Sequence, residues 1–348
     1  MKKHKKLKTF LIVLFLLGIV SGILAFIYLN NSDSVEKSKK KKIKKEKVEK
    51  KVQIVDLDSD ARPYAVMINN ISTVWGYQTG IQDAYLVYEI IVEGGYTRLM
   101  AIFKDKSLER IGSVRSSRHY FLDYALENDA IYVHFGWSPQ AQSDISSLGV
   151  DNINFLTYGK GYIRDRSLNL ASEHTAFTST DKIMNAASDL GYSKKTNQNV
   201  LLNYSADEIN INNMDENIQA KKIDITYSNN RSTNYEYDEQ NKVYKRFQNN
   251  REHTDYETKK QYTVKNIIVY KVKNYMISGD EKHRQDIENI GSGEGYYITN
   301  GYAVPIKWNK QTRSTKTRYT YLDGTEITVN DGNTFIQIMP ENQNLVIE

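Results

Sequence analysis

Residues 118–149 read RHYFLDYALENDAIYVHFGWSPQAQSDISSLG, and this stretch sets the fold class. Arg118–Leu126 has the apolar spacing of a helix, and Ile131–His134 is a short β-branched and aromatic run with the character of a strand. Pro139–Leu148 reads as a second helix. Ser138 is its N-cap, Pro139 takes the first helical position, and Gly149 is its C-cap. Ala141, Ile145 and Leu148 then fall on one face.

The same alternation continues on both sides. Upstream, Tyr64–Ile68, Ala84–Val92 and Arg98–Phe103 read as strands, and downstream Asp181–Leu190 reads as a helix capped by Thr180, with Ile183, Ala187 and Leu190 as its stripe. Strands mixed with helices to about residue 195 predict a mixed α/β unit. Beyond the Asn/Asp-rich stretch 201–222 the pattern becomes strand only: Lys222–Tyr227, Tyr235–Tyr237, Val243–Phe247, Asn266–Tyr270, Gly295–Thr299 and Phe335–Met339. Much of the chain's excess of Tyr, 26 residues, lies here, as suits half-buried pleated surfaces. The expected class is α+β: a mixed α/β N-terminal domain over 61–200, a connector over 201–222, and a β-rich C-terminal domain over 223–348 packed against the first. Order is expected to begin near Arg62-Pro63.

The N-terminus has a different composition. Phe10 to Leu29 is FLIVLFLLGIVSGILAFIYL, uncharged throughout and long enough as a helix to cross a hydrocarbon core of roughly 30 Å. An uncleaved membrane anchor over 10–29 is expected, after a basic tail over 1–9. The competing reading is a signal peptide, whose apolar region is ordinarily shorter and ends in a small-x-small cleavage pattern not evident here. Residues 30–60 read as a Lys-rich tether that buries no core. Residues 1–52 hold 15 Lys against four acids, a charge of +11, so of the net +5 the remaining 53–348 carries −6. The basic pI therefore belongs to the tail and gives no argument for a nucleic-acid partner. The absence of Cys excludes disulfides, thiolate metal sites, cysteine nucleophiles and a cysteine-linked lipid. Lysines flank both ends of the apolar run, but Asn30 to Ser34 lack positive charge, which favours the N-terminus inside and the rest outside.

Several motifs then appear in one order: Arg62-Pro-Tyr-Ala-Val-Met-Ile-Asn-Asn70, Tyr88-Glu89, Val92-Glu-Gly-Gly-Tyr-Thr-Arg98, Ile111-Gly-Ser-Val-Arg-Ser-Ser-Arg118 and Tyr132-Val-His134. They are followed by Arg164, Glu173-His-Thr175, Gly291-Ser-Gly-Glu-Gly295, Asn300-Gly301 and Trp308. The chain resembles the YerB family of bacterial envelope lipoproteins, built from N- and C-terminal domains of unknown function, over nearly all of 61–340. The resemblance implies an extracytoplasmic position in a Gram-positive-type envelope. It implies no reaction. The chain departs from the family in lacking a lipobox cysteine, and the apolar span takes the place of the lipid.

Candidate site residues cluster in few places. Arg115 and Arg118 lie three apart at a strand-to-helix junction, Arg98 opens a strand, and His134 closes one before the capping Ser138. Ligands gather beyond the carboxyl ends of strands in α/β sheets, and helix starts favour anions. Arg98, Arg115, Arg118, His134, Ser138 and Arg164 are therefore read as one ligand-binding group for a carboxylate or phosphate. The same arginines would equally serve as a structural ion network with Glu89, Glu93 or Asp123. His134 or His174 with Glu89 or Glu93 are the candidate catalytic groups of a hydrolase or transferase, although a lone strand-end His is more often structural. Glu89 and Glu93, four apart on a strand, fall on one face but are about 13 Å apart at Cα, too far to act alone as a glycosidase pair. His119 reads as a surface residue, and Gly291–Gly295 as a turn. There is no G-x-S-x-G elbow, phosphate-binding glycine loop or H-E-x-x-H. No metal or cofactor is expected. The expected partners are the membrane, through 10–29, and wall polymers or wall-synthesis proteins. An interaction protein without a small ligand is the third reading.

Overall fold

The structure is a computed structural model that describes residues 2–41 and 50–348. Lys2–Lys41 is one helix, α1, whose segment Phe10–Leu29 has a mean hydropathy of 3.0 and contains no buried residue. By length and composition it can cross a membrane. It runs past Leu29 into the Lys-rich stretch, and the rest of the expected tether, 42–49, lies outside the described residues.

Lys51–Glu348 forms a separate compact unit. It begins before Arg62-Pro63. Val55 is buried, Val52 and Ile54 pack on the core, and the backbone N–H groups of Gln53 and Ile54 donate to the Asp331 carboxylate at 2.9 and 3.0 Å. Residues 51–60 therefore belong to the folded unit rather than to a tether, because three apolar residues at alternate or adjacent positions find a buried face.

The elements used below are strands β1 (Tyr64–Asn70), β2 (Leu86–Ile91) and β3 (Thr97–Phe103), then helix α2 (His119–Glu127), β4 (Ile131–His134), helix α3 (Pro139–Ser147), β5 (Asn152–Asn154) and helix α4 (Thr180–Asp189). The second half contributes β6 (Lys222–Ser228), β7 (Arg231–Asp238), β8 (Val243–Gln248), β9 (Asn266–Val272), β10 (Gly291–Thr299), β11 (Tyr302–Lys310), β12 (Thr334–Pro340) and β13 (Leu345–Ile347). Among the described residues, eleven strands form one sheet in the order Ile218–Gln219, β11, β10, β9, β12, β2, β3, β1, β4, β5, with Arg318–Tyr321 pairing beside β11. The molecule is α+β as expected. Its two halves meet inside this sheet: β12, from near the C-terminus, runs parallel to both β9 and β2 and joins them.

The central strands are apolar on both faces, and each face is covered. Leu86, Tyr88 and Ile90 face one core with Phe121 and Leu122 of α2, while Val87, Ile91 and Leu99 face another with Ile223, Ile225, Tyr235 and Tyr244 of the second sheet. That second sheet has six strands, ordered Arg251–Glu252, β8, β7, β6, β13, with Thr263–Val264 beside β8.

Local departures have local causes. Ser138 caps α3 as expected, accepting from Ala141 N–H at 3.2 Å. The cap of α4 is Ser179 rather than Thr180, whose hydroxyl instead holds Tyr64 and the Leu108 N–H. Gly291–Gly295 is not a turn but the first half of β10, paired with β11 from Gly291↔Lys310 onward. His119 is buried rather than superficial, with Nε2 2.7 Å from Asp286 Oδ1. The stretch 201–222 is packed, with Leu201, Leu202, Tyr204 and Ile211 in the core.

Candidate anion site at the carboxyl ends of the parallel strands

β1 and β4 run parallel only as far as Val66↔Val133 and then part. The segment Val114–Ser117 wedges between them. Arg115 N–H donates to Met67 O at 2.9 Å, Phe135 N–H to Arg115 O at 3.0 Å, and Ser117 N–H to Gly136 O at 2.9 Å. The wedge places Arg115 and Arg118 beyond the carboxyl ends of the parallel strands β1, β2 and β4. Arg98 reaches the same edge because β3 is antiparallel to its neighbours, bringing Arg98 opposite Asn69 and Ile90.

Glu93 follows β2 on a short turn and is the carboxylate at the centre. Arg118 Nε lies 2.8 Å from its Oε2, Arg118 Nη2 also bonds Oε1, and Arg98 Nη2 lies 3.1 Å from Oε1. Both guanidinium groups are fixed from behind by backbone carbonyls. Arg98 Nη1 donates to Ser116 O at 2.6 Å and Arg118 Nη1 to Ser117 O at 2.7 Å. Burial raises the Glu93 carboxyl, but the Arg118 hydrogen bonds and the charges of Arg98 and Arg118 outweigh it and hold the group at about 2. Burial and the adjacent Arg118 push Arg98 down to about 9, which leaves it charged at neutral pH.

Two further arginines complete the cluster. Arg115 Nη1 donates to Glu173 O at 2.9 Å, and Arg164 Nη1 donates to Ser172 O, so both grip the turn Ser172–His174. The Arg164 guanidinium stacks 4.6 Å from the Phe135 ring centroid. Among the described residues neither Arg115 nor Arg164 is ion-paired with a carboxylate. His174 stands beside them, Nδ1 3.0 Å from Asn69 Nδ2, and burial together with the Arg115 charge lowers its pKa.

The other candidates are taken up by the fold. Glu89 is on the opposite face, fully buried between the two sheets. There it receives Arg231 Nη2 at 2.8 Å, Arg246 Nη2 at 2.6 Å, Thr97 Oγ1 at 2.7 Å and Asn70 Nδ2 at 3.2 Å. Burial raises its carboxyl, and Arg246 and Arg231 hold it down at about 2 all the same. Glu89 and Glu93 therefore share neither a face nor a site. His134 is also buried, Nδ1 2.8 Å from Gly136 O and Nε2 3.1 Å from Asn152 Oδ1, and burial lowers it to about 4. With both ring nitrogens engaged in the fold, His134 offers no base. Ser138 is buried and occupied as a cap. The expected group of six thus reduces to Arg98, Arg115, Arg118 and Arg164. Asp123, another expected partner of the arginines, pairs with Arg313 instead.

The sequence reading missed Arg231, Arg246 and His253, whose Nε2 meets Gln78 Oε1 in the same buried network. The signal was present. A charged residue inside the apolar run Leu86-Val-Tyr-Glu-Ile-Ile91 demands a buried partner. Alternation in β7 and β8 points Arg231, Thr233 and Arg246 inward.

Known proteins agree with this architecture. Residues 52–193 match the N-terminal domain, and 223–336 the C-terminal domain, of the family described as protein of unknown function (DUF3048). The chain is 32% identical over 286 residues to the "Putative lipoprotein YerB" of Bacillus subtilis (strain 168), covering 81% of this chain and 82% of that protein. The crystal structure of the YerB protein from Bacillus subtilis superposes with a TM-score of 0.71 at 30% identity, covering 82% of this chain and 94% of that one. The chain belongs to the DUF3048 family. A relative named as a lipoprotein, together with the apolar α1, points to membrane association.

Proposed function

We propose that this member of the DUF3048 family is an envelope protein of a Gram-positive-type bacterium, held by α1 with its N-terminus inside and the unit from Lys51 outside. In this reading it binds an anionic, wall-related ligand through Arg98, Arg115, Arg118 and Arg164. One observation carries the reading: four arginines converge where the parallel strands end, and the carboxylate ion-paired among them is that of Glu93. Positive charge in excess of its internal partners, at a strand-end crevice, suits an incoming anion. The catalytic reading has lost His134 and Glu89 to the fold, so binding without turnover is the form proposed.

Titration of the full chain in detergent micelles with phosphate-rich wall polymer and with neutral glycan fragments tests this. The expected result is salt-sensitive binding of the anionic polymer alone. Arg115→Ala is expected to abolish it with an unchanged melting temperature. Equal binding of neutral fragments, or loss of the fold in that variant, would count against the reading. Protease added to intact protoplasts is expected to digest the unit from Lys51, and its full protection would reverse the orientation.

A further inference from the structure

The Glu93 carboxylate sits in the cluster as a bound anion would. Three N–H groups from two arginines converge on it, the bidentate geometry being that of guanidinium recognition of carboxylate or phosphate. Those arginines are nearly inaccessible, each side chain 8% exposed, whereas Glu93 is 26% exposed. Behind them the carbonyls of Ser116 and Ser117 fix the donors independently of Glu93. The seat would therefore keep its shape if the carboxylate left.

The chain carrying Glu93 is built to turn. Glu93, Gly94 and Gly95 form a single 3-10 turn closed by Val92 N–H to Tyr96 O at 2.7 Å. Gly94 and Gly95 both have positive φ, 70° and 73°, a conformation open chiefly to glycine. Gly95 is pinned, since Ser228 Oγ donates to its carbonyl at 2.7 Å. Gly94 thus lies between a fixed point and the carboxylate.

We infer that Glu93 is an internal occupant of the ligand's own seat, and that the ligand group displacing it is a dianionic phosphate monoester. The inference rests on the arginine cluster being the ligand site. An external carboxylate carries the same charge as Glu93 but lacks its tethered, high effective concentration, so it does not win the exchange. A phosphate monoester carries close to two charges at neutral pH and three acceptor oxygens. It can hold Arg98 and Arg118 and also draw on Arg115, whose bond to Glu173 O is open to solvent. Glu93 then sets a threshold: it offsets part of the buried arginines' charge in the empty protein and outcompetes a single free carboxylate.

The test uses the full chain in detergent micelles at low salt, titrated with inorganic phosphate and with acetate. Glu93→Gln is expected to bind phosphate at least about tenfold more tightly than the wild type, and acetate is expected to bind measurably only to the variant. In the wild type, saturating phosphate is expected to speed hydrogen exchange at Val92–Tyr96, a reading that stands even if the variant folds poorly. Phosphate binding by the wild type without faster exchange, or without a gain in a folded Glu93→Gln, overturns the displacement and leaves the anion site standing. Acetate binding as well as phosphate in the wild type overturns the dianion assignment. No phosphate binding by either protein overturns the anion site and the displacement together.

Discussion

Glu89 interrupts an apolar strand, and the cost of that interruption is met by two arginines that are themselves fully buried. Removing its charge leaves both without a counter-ion in a low-dielectric space. Glu89→Gln is therefore expected to destabilise the protein by about 3–5 kcal/mol in urea unfolding. A loss below about 1 kcal/mol would mean the arginines find another partner. The titrating groups also fix the response to acid. Glu89 and Glu93 fall from an ordinary 4.5 to about 2 on folding, so the stability they supply is complete above pH 4.5 and lost as pH falls from 4.5 to 2. His134 falls from 6.5 to about 4, so its share is complete above pH 6.5 and lost between 6.5 and 4. Stability is expected to decline below pH 6.5 and more steeply below 4.5, and a flat profile from pH 7 to 3 would contradict these positions. Sequence singled out Glu89, Glu93 and the four arginines as candidates. Their four-residue spacing put Glu89 and Glu93 on one face, and that expectation failed because β2 ends between them and the two-residue period fails there.

At the scale of elements, the Gly-Ser-Gly-Glu-Gly run shows where local reading failed. Alternate glycines suggest a turn, yet here they lie on one face of β10, and the Trp308 indole covers the middle one, Gly293. Trp308 lies across from Gly293, and its ring centroid is 5.0 Å from that of Tyr270. The indole supplies contacts that Gly293 lacks, a compensation from distant sequence that no local pattern reveals. A Cβ at Gly295 would lie 2.5 Å from Val269 O, a backbone atom of the adjacent strand, whereas one at Gly293 would meet the Trp308 indole. Gly295→Ala is thus expected to cost about 3 kcal/mol, near the upper end for overpacking, and Gly293→Ala less. The reverse order in thermal denaturation would show that the strands move more easily than the indole. Caps were more legible: Ser138 was readable from Ser-Pro, and α4 was misplaced by one residue because Ser179 and Thr180 are chemically alike. Ser179→Ala is expected to cost about 1 kcal/mol, and a neutral result would return the cap to Thr180.

For the whole molecule, no local pattern warns that its halves share a sheet. The change from mixed α/β to all-β composition near residue 200 reads as a domain border, and composition cannot report which strands become neighbours. The structure inserts β12 between β2 and β9, so a strand from the end of the chain completes the sheet begun near its start. Without β12, the strand β2 would present an unpaired edge of Leu86, Val87, Tyr88 and Ile90, all buried in the intact protein. Nor would the Glu89 charge be matched, because Arg231 and Arg246 also come from the second half. A chain ending before Thr334, and a fragment ending at residue 200, are therefore both expected to fail to form a soluble cooperative fold. The unit from Lys51 to Glu348 is expected to unfold in a single calorimetric transition, with secondary and tertiary probes coincident. Two resolved transitions, or a fragment over 51–200 that melts cooperatively in solution, would show that the first half closes its own sheet edge and balances Glu89 by itself. The shared strand would then be an attachment between two domains rather than the centre of one.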